Sequence, residues 1–238
     1  MAISVGFIGC GGNNADHMSK ISENPDAGIA AVCDVDEEKA QKAGETWNVP
    51  AFDDHDAMID SVELDAVFVS VPPFAHGDIE MSLVEAGINM LVEKPVALDL
   101  ELARDIQAGI EEKGIIATAG FQDRYIDVID AMQNILGASR PGIFMGYWMG
   151  GMPGVAWWRV KEQSGGQHVE QTIHTFDTAR YLFGEVAVVH AVSSTGLMAE
   201  VPNYDVEDAS AVNLEFESGL CGTIFSACFL SVGEQNGM

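Results

Sequence analysis

The sequence predicts an α/β protein in two parts. A doubly wound parallel sheet is expected over residues 1–121, and an α+β unit with a mostly antiparallel open sheet over residues 122–238. Three observations support this. Short continuous apolar runs alternate with amphipathic stretches through the first half, as buried parallel strands and covering helices require. A glycine cluster follows the first run and opens a helical stretch. After Phe121 the alternation stops, and strand-like runs follow one another toward the carboxyl end.

The apolar runs of the first half are Ser4–Gly9, Ile29–Cys33, Ala66–Val71, Ile88–Val92 and Ile115–Ala119. Between them Asp36–Glu45, Ala75–Ala86 and Asp99–Lys113 read as helices, with Asp99 as an N-cap followed by first-turn carboxylates. A shorter unit, Ala51-Phe52 then His55–Ile59, follows Pro50. In the second half a helix is expected over Arg124–Leu136, ending near Gly137, and a strand over Ile143–Met149 after Pro141-Gly142. A Gly/Pro/Trp-rich loop (Gly150–Gly166) precedes a helix from about Val169 to Phe183. Strands follow at Ala187–Ser193, Ala209–Phe216 and Leu220–Leu230, the last two joined by a hairpin turn at Glu217-Ser218-Gly219.

Composition narrows the function classes. An apolar content of 47% in 238 residues is ample for a folded core, and no apolar run approaches a membrane span. The amino terminus reads as a first strand and not a leader, so a cytoplasmic protein is expected. With 37 acidic against 11 basic residues the net charge is −26, which disfavours nucleic acid and anionic membranes as partners. A solvated acidic shell explains the charge; a salt-rich cytosol with an acidic, halophile-type proteome is the sharper reading. Cys10, Cys33, Cys221 and Cys228 form no CxxC pair. They read as small buried thiols in a reducing compartment, with no metal site expected.

Candidate chemistry sits at three places. Glu93-Lys94-Pro95 closes a buried strand, and ligands of open α/β sheets bind beyond strand carboxyl ends, so Lys94 lies where a substrate would sit. Gly9-Cys10-Gly11-Gly12-Asn13-Asn14 lets the backbone turn tightly and approach a pyrophosphate at a helix amino terminus, although Asn14 replaces the third glycine. Asp34, ending the second strand, is positioned to accept ribose hydroxyls and to repel a 2′-phosphate, which favours NAD over NADP. It also reads as a turn aspartate before Asp36. In the second half Glu170, His174 and Asp177 are spaced to share a helix face, where a carboxylate would orient a proton-transferring histidine. Trp157-Trp158-Arg159 reads either as a wall for a polyol or as packing of a long loop.

These segments together resemble the Gfo/Idh/MocA oxidoreductases, the glucose–fructose oxidoreductase and inositol dehydrogenase family. The resemblance rests on Gly9-Cys10-Gly11-Gly12 with His17, Asp34, Val71-Pro72-Pro73 with His76, Glu93-Lys94-Pro95, and Gly165-Gly166 followed by Glu170, His174 and Asp177, in family order. It implies a Rossmann domain, an open-sheet domain that often supports oligomers, and hydride exchange between a nicotinamide and a carbinol carbon of a sugar, inositol or related polyol. Carried over, Lys94, Glu170 and His174 form the catalytic group. Gly9, Gly11, Gly12, Asn13, Asn14, Asp34, Val71, Pro72, His76, Glu93 and Lys94 face the cofactor. Lys94, Arg124, Trp158, Arg159, Glu170 and His174 face the substrate. Two departures stand out: the distal acid is glutamate where the family usually has aspartate, and the chain stops at Gly237-Met238, where more sheet is expected, as in a truncated form. A glycoside-cleaving enzyme with transient NAD oxidation and a non-catalytic NAD/sugar sensor are the rival functions on this fold.

Overall fold

A computed structural model describes residues 2–231 and 235–237, in two compact units, Met1–Gly120 and Phe121–Met238. The outer ends expected at Met1 and Met238 lie outside the described residues.

The first unit runs β1 (Ile3–Ile8), α1 (Gly12–Ser22), β2 (Ala27–Cys33), α2 (Glu37–Trp47), β3 (Ala51–Phe52), α3 (His55–Ser61), β4 (Ala66–Val69), a 3-10 turn (Pro73–Ala75), α4 (Asp78–Ala86), β5 (Asn89–Val92), α5 (Leu100–Lys113) and β6 (Ala117–Ala119). The strands form a six-stranded sheet in the order β3-β2-β1-β4-β5-β6, every pair parallel. Both faces are covered, which is why the strands read as continuous apolar runs. Ala31, Cys33, Val67, Val69, Met90 and Val92 pack in one core cluster, and Val5, Phe7 and Val32 in another with Met18 of α1. Aspartates start three helices: Asp36 accepts from the Lys39 amide (3.3 Å), Asp54 from Ala57 (2.8 Å) and Asp99 from Leu102 (3.0 Å). Strand order reverses between β1 and β4, so the open crevice of this sheet lies over their carboxyl ends.

The second unit begins with a 3-10 turn (Gln122–Tyr125). It continues through α6 (Asp127–Ala138), β7 (Phe144–Met149), a 3-10 turn (Ala156–Arg159), α7 (Lys161–Ser164), α8 (Gln167–Glu170), α9 (Ile173–Phe183), β8 (Val186–Ser194), β9 (Ala209–Phe216), β10 (Cys221–Ala227) and β11 (Gln235–Gly237). The sheet order is β11-β7-β10-β9-β8, antiparallel except for the parallel pair β7 and β10. Helix α9 covers one face: Ala179 packs with Phe144, Val212, Leu214, Phe216 and Ile224. Gly146 permits that approach, since a Cβ there would stand 2.6 Å from the Thr175 methyl.

Four expectations for this unit are corrected. Ile126 is extended (ψ 146°), so the first helix starts at Asp127 and Arg124 belongs to the preceding 3-10 turn. The Gly150–Gly166 loop contains two short helical segments. The helix expected over Val169–Phe183 is broken at Gln171-Thr172. Tertiary bonds cause the break: the buried Thr172 pairs its hydroxyl with Ser226 (2.8 Å), and the Gln167 side chain donates to the Ala227 carbonyl (2.9 Å). Finally, Cys221 is exposed on β10, not buried.

Among the described residues no helix is long and apolar enough to cross a membrane.

Candidate active-site elements

At the carboxyl end of β1 the chain turns through Gly9, whose φ is +87°; a Cβ there would lie 2.2 Å from the Ser70 carbonyl oxygen. Only glycine fits, because both the backbone region and the space exclude a side chain. Gly11 and Gly12 differ: a Cβ at either would meet no atom within 4 Å. Gly11 caps α1 without a side-chain bond. The first turn of α1 therefore presents backbone amides toward open space, a cradle that suits an anionic pyrophosphate.

Asn14 is fully buried, and its amide nitrogen donates to the carbonyls of Ile8 (2.9 Å) and Gly9 (2.6 Å). It thereby ties α1 to the end of β1, the close helix–strand packing that a third glycine otherwise permits. Asp34 accepts from the Cys10 amide (2.7 Å) through one oxygen and from Asp36 (2.9 Å) through the other. Its carboxylate is fixed beside the glycine turn with lone pairs remaining for ribose hydroxyls. Burial, then the Asp34 charge, pushes the Cys10 thiol up to about 11, so it adds no negative charge to the turn at neutral pH.

Glu93-Lys94-Pro95 leaves β5 at the same edge of the sheet. Glu93 is buried, and its carboxylate bonds Nε2 of His17 on α1 (2.9 Å). Gly120 makes room for it, since a Cβ there would stand 2.7 Å from the other Glu93 oxygen. The acid thus anchors the segment that presents the half-buried Lys94, and the Lys94–Pro95 peptide bond is cis. Val71 lies against the place a Gly9 side chain would take. His76 has a buried imidazole bonded through Nδ1 to Glu80 (2.7 Å), which also accepts from the Gly77 amide (2.6 Å). His76 is thereby tied, with Gly77, to the first turn of α4; Glu80, its partner, gave no sequence signal beyond the i, i+4 spacing.

In the second unit the helix break separates Glu170, on α8, from His174 and Asp177, on α9. Glu170 accepts from the indole N–H of Trp158 (2.8 Å). Trp158 is completely buried, packing with Val206 and Cys228, so of the two readings of this loop packing holds for Trp158, and its expected contact with substrate is replaced by one with Glu170. Asp177 is buried and takes both Nε (2.7 Å) and Nη2 (2.5 Å) of Arg124, so the guanidinium expected to face substrate is engaged within the fold. Arg159 keeps a buried Nε with no hydrogen-bond partner among the described residues. The His174 ring stacks on Trp148 of β7 (centroids 5.9 Å, 21°) and forms a T-shaped pair with Phe121 (6.3 Å, 87°). Trp148 carried no sequence signal, because strand alternation marks a face and not a neighbour. Among the described residues no group of His, Cys, Asp and Glu side chains is placed to hold a metal ion.

A parallel sheet whose switch-point turn offers bare amides, with an acid fixed at the end of the neighbouring strand, defines a dinucleotide-binding α/β unit. Residues 3–121 match the family model for oxidoreductases with an NAD-binding Rossmann fold, and residues 142–238 match the C-terminal domain of the same family. The chain belongs to the Gfo/Idh/MocA oxidoreductase family, and NAD is its cofactor. It is 29% identical over 197 residues to the NAD(+)-dependent scyllo-inositol 2-dehydrogenase of Bacillus subtilis strain 168, a stretch covering 79% of this chain and 55% of that protein. It is 29% identical over 229 residues to the myo-inositol 2-dehydrogenase of Thermotoga maritima, covering 92% and 67%. Its fold matches the WlbA dehydrogenase from Bordetella pertussis, solved with NADH and UDP-GlcNAcA, at a TM-score of 0.89 and 22% identity over 98% of this chain and 74% of that one. Alignments to the first three curated relatives cover 55%, 66% and 60% of their lengths.

Proposed function

We propose that the chain carries the active-site elements of an NAD-dependent dehydrogenase acting on a carbinol carbon of a sugar, inositol or related polyol. One observation carries this reading: Lys94 leaves β5 at the sheet edge that also bears the bare glycine turn of β1. Strands lie about 4.8 Å apart, so two steps across the sheet separate these ends by about 10 Å, within the span of one half of a dinucleotide. The inositol dehydrogenases among the relatives support the substrate class.

Bound NAD supplies the hydride acceptor. The hydroxyl proton must leave as the hydride does, so a base within hydrogen-bond reach is required. In this reading His174 is the principal acid and base. Glu170, fixed by Trp158, belongs to the same proton-handling group, and Lys94 polarises the substrate oxygen and shares its proton. Asp34 selects NAD by occupying the place a 2′-phosphate would need.

The same reading places the protein in the cytoplasm. It gives the second sheet a role in self-association, because Val188, Val192, Met145 and Phe225 expose apolar surface on one sheet face.

The test is a panel of inositols, sugars and other polyols with NAD and NADP at high salt. Appearance of reduced nicotinamide with NAD and at least one polyol is expected. Tight NAD binding with no net reduction across the panel, but cleavage of a glycoside, would replace this reading with transient redox; binding with no turnover at all would replace it with a sensor.

A further inference from the structure

We infer that Arg124 and Asp177 are positioning residues that act together, through Phe121, to hold the His174 ring. The inference rests on the acid/base role given to His174 above. Asp177 lies one helical turn beyond His174 on α9, and both its oxygens are taken by one guanidinium. A bidentate pair of this kind fixes orientation as well as distance. The same guanidinium lies 4.9 Å from the Tyr181 ring, one further turn along α9, and 5.7 Å from the Phe121 ring. Phe121 begins the 3-10 turn that carries Arg124, and the Arg124 amide donates to its carbonyl (3.2 Å). The turn is therefore stapled to α9 along one stripe, and the staple holds the Phe121 ring beside His174 in a T-shaped pair.

Trp148 stacks against the same imidazole. The ring thus has two aromatic neighbours, one perpendicular to it and one nearly parallel. In this inference Arg124 acts on the ring through Phe121, and Asp177 acts through Arg124. Hydrogen bonding to Asp177 raises the Arg124 pKa, so the clamp stays charged across the working pH range. A lysine at 124 would keep the charge but lose the fork.

The experiment is NMR of histidine-labelled protein, with His174 assigned by its loss in His174→Gln. Stacking on Trp148 gives the wild-type ring protons ring-current shifts. In Arg124→Lys those signals should move toward free-histidine positions or broaden, while those of His55 and His190 stay in place. Phe121→Leu keeps the ion pair and should produce the same change, which guards against a poorly folded Arg124 variant. With the polyol found in the panel, Arg124→Lys should lower kcat by about tenfold to a hundredfold with little change in NAD affinity. In the His174→Gln background it should cost nothing further, as expected for groups acting as a unit. Unmoved His174 signals in both variants, or an additive loss of kcat, would overturn the clamp. Full turnover in His174→Gln alone would instead overturn the acid/base role on which it rests.

Discussion

Replacing Gly9 and Gly11 separately by alanine distinguishes a glycine required by the fold from one required by the ligand. At Gly9 the φ of +87° costs an L-residue about 1–2 kcal/mol. The added methyl also meets the Ser70 carbonyl at 2.2 Å, and backbone must move to relieve it. The hydrogen bonds flanking that point, Gly9 N–H to Cys33 (2.8 Å) and Ser70 N–H to Ile8 (2.9 Å), join β1 to its neighbours on either side. Losing both adds about 1 kcal/mol each. Gly9→Ala should therefore lose about 3–4 kcal/mol by urea unfolding, a fall in Tm of roughly 10 °C for a chain of this size.

Gly11 has an ordinary φ of −75° and an empty surround. Gly11→Ala should cost no more than about 1 kcal/mol of stability. Its methyl would stand where the pyrophosphate approaches the α1 amides, so NADH affinity by fluorescence titration should fall at least about tenfold. Equal destabilisation by both substitutions, or unchanged NADH affinity in Gly11→Ala, would refute the division of labour between the glycines.

Other expectations follow from single contacts. Trp158→Phe removes the donor to Glu170 inside a packed cluster; stability should fall by about 1–3 kcal/mol in urea, and the pH profile of turnover should shift. Burial pushes the Cys33 thiol up to about 12, against an ordinary value of 9. The unfolded thiol ionises first as pH rises, so this contribution is intact below pH 9 and is lost toward pH 12. Tm should decline across that window more steeply in wild type than in Cys33→Ala, and parallel declines would contradict the buried-thiol account. With 37 acidic residues against 11 lysines and arginines, side-chain carboxylates outnumber permanent cations by 26. At 1 M salt the screening length is only about 3 Å, so Tm should rise by well beyond a few degrees from dilute buffer to molar salt. A flat profile would show that mutual repulsion is not limiting.

Much of the first unit was legible because its signals are local. Continuous apolar runs mark strands covered on both faces, Asp99 caps its helix as spacing suggested, and the Gly9 turn follows β1 directly. The second unit was less legible where tertiary contacts decide. The periodicity of Val169–Phe183 is helical, but Thr172 and Gln167 bond to β10 and break the helix. Trp158 and Arg124 carry the chemistry of substrate contacts, yet each is engaged by a carboxylate of its own unit. Which acid meets which donor is set by packing, and no spacing rule encodes it. Strand direction was hidden as well, since the β7–β10 parallel pair reads the same as an antiparallel one.

The most direct measurement is the Lys94→Ala variant, assayed in parallel for NADH affinity and for polyol-dependent reduction of NAD. The anchoring contact of Glu93 with His17 does not involve the lysine side chain, so the segment and the glycine turn should persist. NADH affinity within about threefold of wild type, with turnover lowered at least about a hundredfold, is expected for a side chain that acts in the chemical step. Retained turnover would remove the ammonium group from the reaction and, with it, the proposed site at the end of β5.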